Sequence, residues 1–168
     1  MRLLCRRATL SLWLGFSCSL GACSSPSPAA NEPAATAGAS GSAVGCRPSD
    51  GDLYEAGLDK PGTRGNFVFT LVSSTPAPPA LNDNRFVLQV SDANGSVMTG
   101  ALSVMLDMPE HGHYGQQPEI RFDAESQAFV LEPLDLFMVG LWRFSFSFEG
   151  TVSGAPRTDS AVFEFCID

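Results

Sequence analysis

The sequence predicts an all-β fold, and three observations carry the prediction. Beyond residue 45, short runs alternate apolar and polar residues with the two-residue period of a half-buried strand, most clearly in Trp142-Arg143-Phe144-Ser145-Phe146-Ser147-Phe148-Glu149. Clusters of Gly, Pro, Asn and Asp break the runs at short intervals, as turns do. No helical period of useful length appears after the first 22 residues. About seven short strands of this kind argue for an antiparallel β-sandwich of immunoglobulin-like type, with a small barrel as the alternative.

Residues 1–22 have the pattern of an export signal. Arg2, Arg6 and Arg7 form a positive start, and a short, Ser-containing apolar run reaches Leu20, too short for a comfortable membrane span. It ends in Leu20-Gly21-Ala22-Cys23, which resembles the lipobox of bacterial lipoproteins. That resemblance implies cleavage before Cys23, acylation of its thiol, and a membrane partner reached through the lipid anchor. The alternative is an ordinary signal peptide with Ala22 as the last residue removed. Ser24, by resemblance to sorting in Gram-negative bacteria, favours the outer membrane, with the domain facing the periplasm or the cell surface. Residues 23–45 then form a linker rich in Ala, Ser, Pro and Gly, with nothing large to bury and little to repay its ordering entropy. The folded domain is expected over residues 46–168.

The chain carries a net charge of −8, which becomes −11 once the three leader arginines are lost. A surface of that sign repels phosphate backbones, so no nucleic-acid partner is expected. Of five cysteines, Cys5 and Cys18 leave with the leader and Cys23 takes the lipid. Cys46 and Cys166 remain, at the two ends of the folded region. Only one pairing is open to them, export permits it, and they lack the close spacing of a thiolate metal site.

In chain order, residues 47–66 read as an irregular lead-in. The first strand spans 67–73, with Phe67, Phe69 and Leu71 on one face. Residues 75–79 form a stiff Pro-rich connector. Residues 85–91 alternate with Phe86, Leu88 and Val90 inward and Arg85, Val87 and Gln89 outward. Asp92-Ala93-Asn94-Gly95 is a turn, and residues 97–107 resume as extended chain with Leu102, Val104, Leu106 and Met108 sharing a face. Residues 119–122 and 128–131 make a hairpin about a polar turn. Residues 132–140 read as a crossover holding Met138. The aromatic strand 142–149 follows, 150–159 loops back, and 160–166 closes the fold.

One window holds chemistry. Met105-Leu106-Asp107-Met108-Pro109-Glu110-His111-Gly112-His113-Tyr114-Gly115 contains both histidines of the chain and two of its five methionines. Pro109, Gly112 and Gly115 make it a loop between two apolar runs, where β-proteins commonly keep their chemistry. Met108, His111, His113 and Met138 are the candidate metal ligands. Thioether and imidazole together suit Cu(I), whereas Zn(II) more readily recruits carboxylates or thiolates. Without a ligand, Met108 and Met138 are core fillers, His111 caps the loop and His113 faces solvent. Asp107, Glu110 and Glu119 read as a solvated acidic rim. An enzyme is the weakest class, because no nucleophile elbow accompanies the histidines.

The same residues carry a family resemblance. Met108-Pro109-Glu110-His111-Gly112-His113, followed after a hairpin by Met138-Val139-Gly140-Leu141-Trp142, resembles the YtkA-like/FixH-like family, whose members show Met-Pro-x-His-Gly-His and later Met-Pro-Gly-x-Trp. Val139 stands where the family usually has Pro. The resemblance covers residues 67–166 and implies an immunoglobulin-like sandwich outside the cytoplasm. Its FixH branch is linked to the maturation of copper-containing oxidases. The expectation is therefore a cell-envelope lipoprotein acting as a copper-binding carrier or accessory module for metalloenzyme assembly. A metal-free domain that docks on a protein partner is the alternative.

Overall fold

The computed structural model describes residues 45–168. The expected signal peptide, the acylated Cys23 and the linker to residue 44 lie outside the described residues. Nine strands follow a short 3-10 turn at Pro48–Asp50: β1 (Leu58–Pro61), β2 (Phe67–Thr75), β3 (Asn82–Asp92), β4 (Ala101–Met108), β5 (His113–Tyr114), β6 (Glu119–Asp123), β7 (Ala128–Leu136), β8 (Gly140–Val152) and β9 (Ala155–Ile167). They form two antiparallel sheets, in the orders β1-β2-β3-β7-β6 and β5-β4-β8-β9. Without the added edges β1 and β5, these are the four-plus-three sheets of an immunoglobulin-like sandwich. The expected fold class is therefore present, with nine strands rather than about seven.

Alternation drives this architecture. Phe67, Phe69, Leu71, Phe86, Leu88 and Val90 from one sheet meet Trp142, Phe144, Phe146, Phe148, Phe163 and Phe165 from the other in a single core. Aromatic pairs bridge the sheets: Phe67 meets Phe148 edge-on at 4.9 Å between centroids, and Phe86 lies 5.0 Å from Phe144. Such pairs contribute beyond their buried area.

Four sequence expectations are corrected. The lead-in contains β1, whose Leu58 and Lys60 pair with Leu71 and Phe69. Residues 132–136 continue β7 instead of beginning a crossover, which shrinks to 137–139. A bulge between Asn84 and Phe86 allows this, since the interrupted ladder needs no N–H from Pro133. Residues 150–159 are the tip of a long β8–β9 hairpin, whose turn places Ser153 and Gly154 at φ 51° and 78°. Val87 does face away from the core, yet it is almost fully buried beside its ladder partner Val130.

The lead-in covers the free edge of β9. Asp52 N–H donates to the Glu164 carbonyl (2.6 Å), the Asp52 carboxylate accepts from Glu164 N–H (2.8 Å), and Thr63 N–H donates to the Ser160 carbonyl (2.8 Å). An edge so occupied offers little to another strand. The disulfide Cys46–Cys166 closes the same seam, with Cα atoms 5.6 Å apart. It joins residues separated by 120 positions, so its main effect is on the unfolded chain.

Asp159 fixes the opposite end. Its buried carboxylate accepts N–H bonds from Arg64 (2.8 Å), Asn66 (2.7 Å), Phe67 (3.1 Å) and Ser160 (2.9 Å). A Cβ on Gly62 would overlap this carboxylate, so the turn needs glycine there. Burial pushes the Asp159 carboxyl up, but the backbone donors outweigh it and hold the group below the ordinary aspartate range.

Two outcomes follow. Reduction, or Cys46→Ser, should cost roughly 4–5 kcal/mol on the chain-entropy model and lower the melting temperature while far-UV circular dichroism keeps its strand signature. Asp159 stabilises the fold fully above the unfolded aspartate value of about 3.9, and its contribution is lost as pH falls through the lower folded value. Asp159→Asn should therefore cost roughly 2–3 kcal/mol in urea unfolding at pH 7, with a smaller penalty relative to wild type in acid.

Candidate metal centre

Register brings the candidate ligands to one end of the sandwich. β4 runs antiparallel to β8, with Leu106 opposite Phe144 and Asp107 opposite Arg143. Continuing that register sets Met108, the last residue of β4, opposite Trp142, two residues in from the start of β8 at Gly140. Gly140 pairs with Ile167, and Asn82 pairs with Leu136, so the loops 76–81, 109–112 and 137–139 and the Cys46–Cys166 disulfide share this end.

Met108 is fully buried in the core. Its carbonyl accepts from both His111 N–H (3.1 Å) and Gly112 N–H (2.8 Å), which folds the loop into a tight turn; Gly112, at φ 65°, takes the left-handed conformation that closes it. β5 then pairs His113 with Met108, so both side chains project from the same face of the sheet. His111 and His113 are both exposed, with ring centroids 6.3 Å apart and planes only 18° from parallel.

Gly140 is the floor of the site. It sits at φ 133°, and a Cβ there would lie 2.8 Å from the Met108 methyl and 3.5 Å from His111 Nε2. The absent side chain is what lets the Met108 thioether end and the His111 imidazole approach the same point. Met138 lies two residues before Gly140, partly buried against the core. Its carbonyl accepts the indole N–H of Trp142 at 2.8 Å, and the Trp142 ring is wholly buried. Phe137 bridges the layers: its ring is 5.3 Å from Trp142 and 6.2 Å from His113.

All four predicted ligands therefore lie at one end, and Met108, His111 and His113 form its centre. Among the described residues, no three His, Cys, Asp or Glu side chains assemble as a metal-holding group. Thioether and imidazole together are a donor chemistry suited to a soft ion such as Cu(I).

The acidic rim needs one correction. Asp107 is not solvated: it is 5% exposed and accepts from both Nε (3.1 Å) and Nη2 of Arg143, its ladder partner on the outer face. Phe137 was not singled out from the sequence, and Gly140 entered only as a position of the Met138-Val139-Gly140-Leu141-Trp142 stretch, with no role of its own. The abrupt switch from Phe137-Met138-Val139-Gly140 into the aromatic strand was the signal for Phe137.

The chain matches no family model, no curated protein and no solved structure. What defines its class is its own geometry, an immunoglobulin-like sandwich with thioethers and imidazoles gathered at one end.

Burial separates the ligands by their weight in folding. Met108→Ala should cost about 2–5 kcal/mol. His111→Ala with His113→Ala should stay within about 0.5 kcal/mol of wild type. Urea unfolding of the two variants side by side measures the difference.

Proposed function

We propose that this protein is a cell-envelope, lipid-anchored binding module that holds Cu(I) through Met108, His111, His113 and Met138, serving as a carrier or accessory module in metalloenzyme assembly. In this reading it belongs with the YtkA-like/FixH-like domains its motifs resemble, and it is not an enzyme. The convergence of the Met108 methyl and His111 Nε2 over Gly140 is the observation that supports it. Met108 would supply the soft ligand from the core, and the two histidines the exposed ones. A bound Cu(I) would give the protein a transferable cargo.

The full burial of Met108 favours a second reading, in which the thioether is core filler and the end of the sandwich is a metal-free contact surface.

Volume-conserving substitution separates the two. Titration with Cu(I) against a competing chelator should give one ion per domain for wild type. Binding should be lost in the His111→Ala/His113→Ala variant. Met108→Leu keeps the volume and the fold and should weaken binding at least about tenfold, or ~1.4 kcal/mol. Lower pH should weaken wild-type binding, because a proton and the ion compete for the same imidazole nitrogen. Unchanged affinity in both variants would leave the metal-free reading standing.

A further inference from the structure

We infer that the end of the sandwich carrying the histidines is also a membrane-contacting surface, turned toward the bilayer that holds the lipid anchor and resting on its neutral lipid. The inference adds an orientation and a lipid partner to the proposed function; it rests on acylation of Cys23 and does not require copper.

Two independent observations meet at this end. The first is where the chain enters. Cys46 is bonded to Cys166, which pairs with Leu141 in the β8–β9 ladder, one residue from Gly140. The residues between Cys23 and Cys46 span at most about 80 Å. The opposite end, with the turn at Ser153-Gly154, lies a 13-residue strand away, about 40 Å at ~3.3 Å per residue. Of the two ends, the histidine end is the one tied closest to the anchor, and that tether raises its effective concentration at the surface.

The second is where the exposed apolar side chains lie. Five of the nine large ones among the described residues are here: Leu53, Leu81, Tyr114, Phe137 and Val139. They come from the lead-in, β5 and two loops. Leu53 is 73% exposed and lines a cleft of about 260 Å³ with Pro78, Pro79 and Tyr54. Apolar side chains concentrated on a loop end can enter the headgroup boundary, where each adds buried area. The charges nearby choose the lipid. Asp83, Glu110 and Asp168 are exposed, and Arg47 is tied to Asp50 at 3.4 Å. An acidic collar is repelled by anionic headgroups and tolerated by neutral ones.

The test uses the lipidated full-length protein on phosphatidylcholine vesicles, with an environment-sensitive fluorophore on Val139→Cys or, at the far end, on Glu125→Cys. The label at 139 should shift to the blue and be quenched at least about twofold more by nitroxide-bearing lipid than the label at 125. Adding phosphatidylglycerol should reduce the difference, and so should Phe137→Ser. Equal, water-like emission from both labels on vesicle-bound protein would overturn the orientation while leaving the anchor intact. A shift at 139 seen only in native membranes, not in pure lipid, would overturn it in favour of a membrane protein partner. Cys23→Ala should abolish vesicle attachment altogether; attachment that survives that change would overturn the anchor and the inference with it. Cu(I) titration of the same samples reports on the metal site independently.

Discussion

The pairing of β4 with β8 is the constraint on which the rest of the structure depends. These two strands are the middle of their sheet, and their register aligns Val104 and Leu106 with Phe146 and Phe144 across the inner face. On the outer face the same register sets Asp107 against Arg143 in a two-point ion pair. A slip of one residue would turn Leu106 and Met108 outward. It would also leave a nearly buried carboxylate without its cation, which is far more costly than a lost surface pair. Because β4 ends at Met108 and β8 starts at Gly140, this register also builds the floor of the candidate site.

The parts of the fold that were legible in the sequence are those where side-chain alternation and burial coincide. Residues 142–149 and 85–91 each place one face against the same core, so a period of two is visible without knowledge of the partner strand. The parts that were not legible are held by pairing without that pattern. Leu58–Pro61 is a strand because β2 offers it an edge, although its sequence carries two charges and a proline. The tip of the β8–β9 hairpin lies beyond the core, so Thr151, Arg157 and Thr158 are polar on both faces and read as loop. Pro133 signals the end of a strand in isolation. Only a bulge in β7 itself, where Glu132 and Pro133 together face Arg85, lets the strand continue past it.

The candidate site divides along the same line. Met108, His111 and His113 fall within six residues, and a Pro-and-Gly loop after an alternating strand was enough to group them. Gly140 could not be found that way. Its significance lies in the approach of the Met108 methyl, a contact made across the sheet and invisible in local composition. Asp107 was misread for the mirror reason. Its sequence neighbours suggest an exposed rim, and only the ladder reveals Arg143 beside it.

Burial gives the two kinds of donor different freedom. The thioether of Met108 is held by close packing among Leu106, Trp142 and their neighbours, so little rotamer entropy remains for it to lose on taking a ligand. The imidazoles stand outside, on a turn that one carbonyl closes with two hydrogen bonds. Exposed rings on a short turn can turn toward an incoming partner without disturbing the core beneath them. In the proposed reading, that division would let a fixed donor discriminate the ion while the exposed donors exchange it. The Trp142 indole bond to the Met138 carbonyl strengthens the fixed half, since it ties the 137–139 loop to the buried aromatic layer. Specificity would therefore reside in the core-facing residues and transfer in the solvent-facing ones, with Gly140 as the boundary between them.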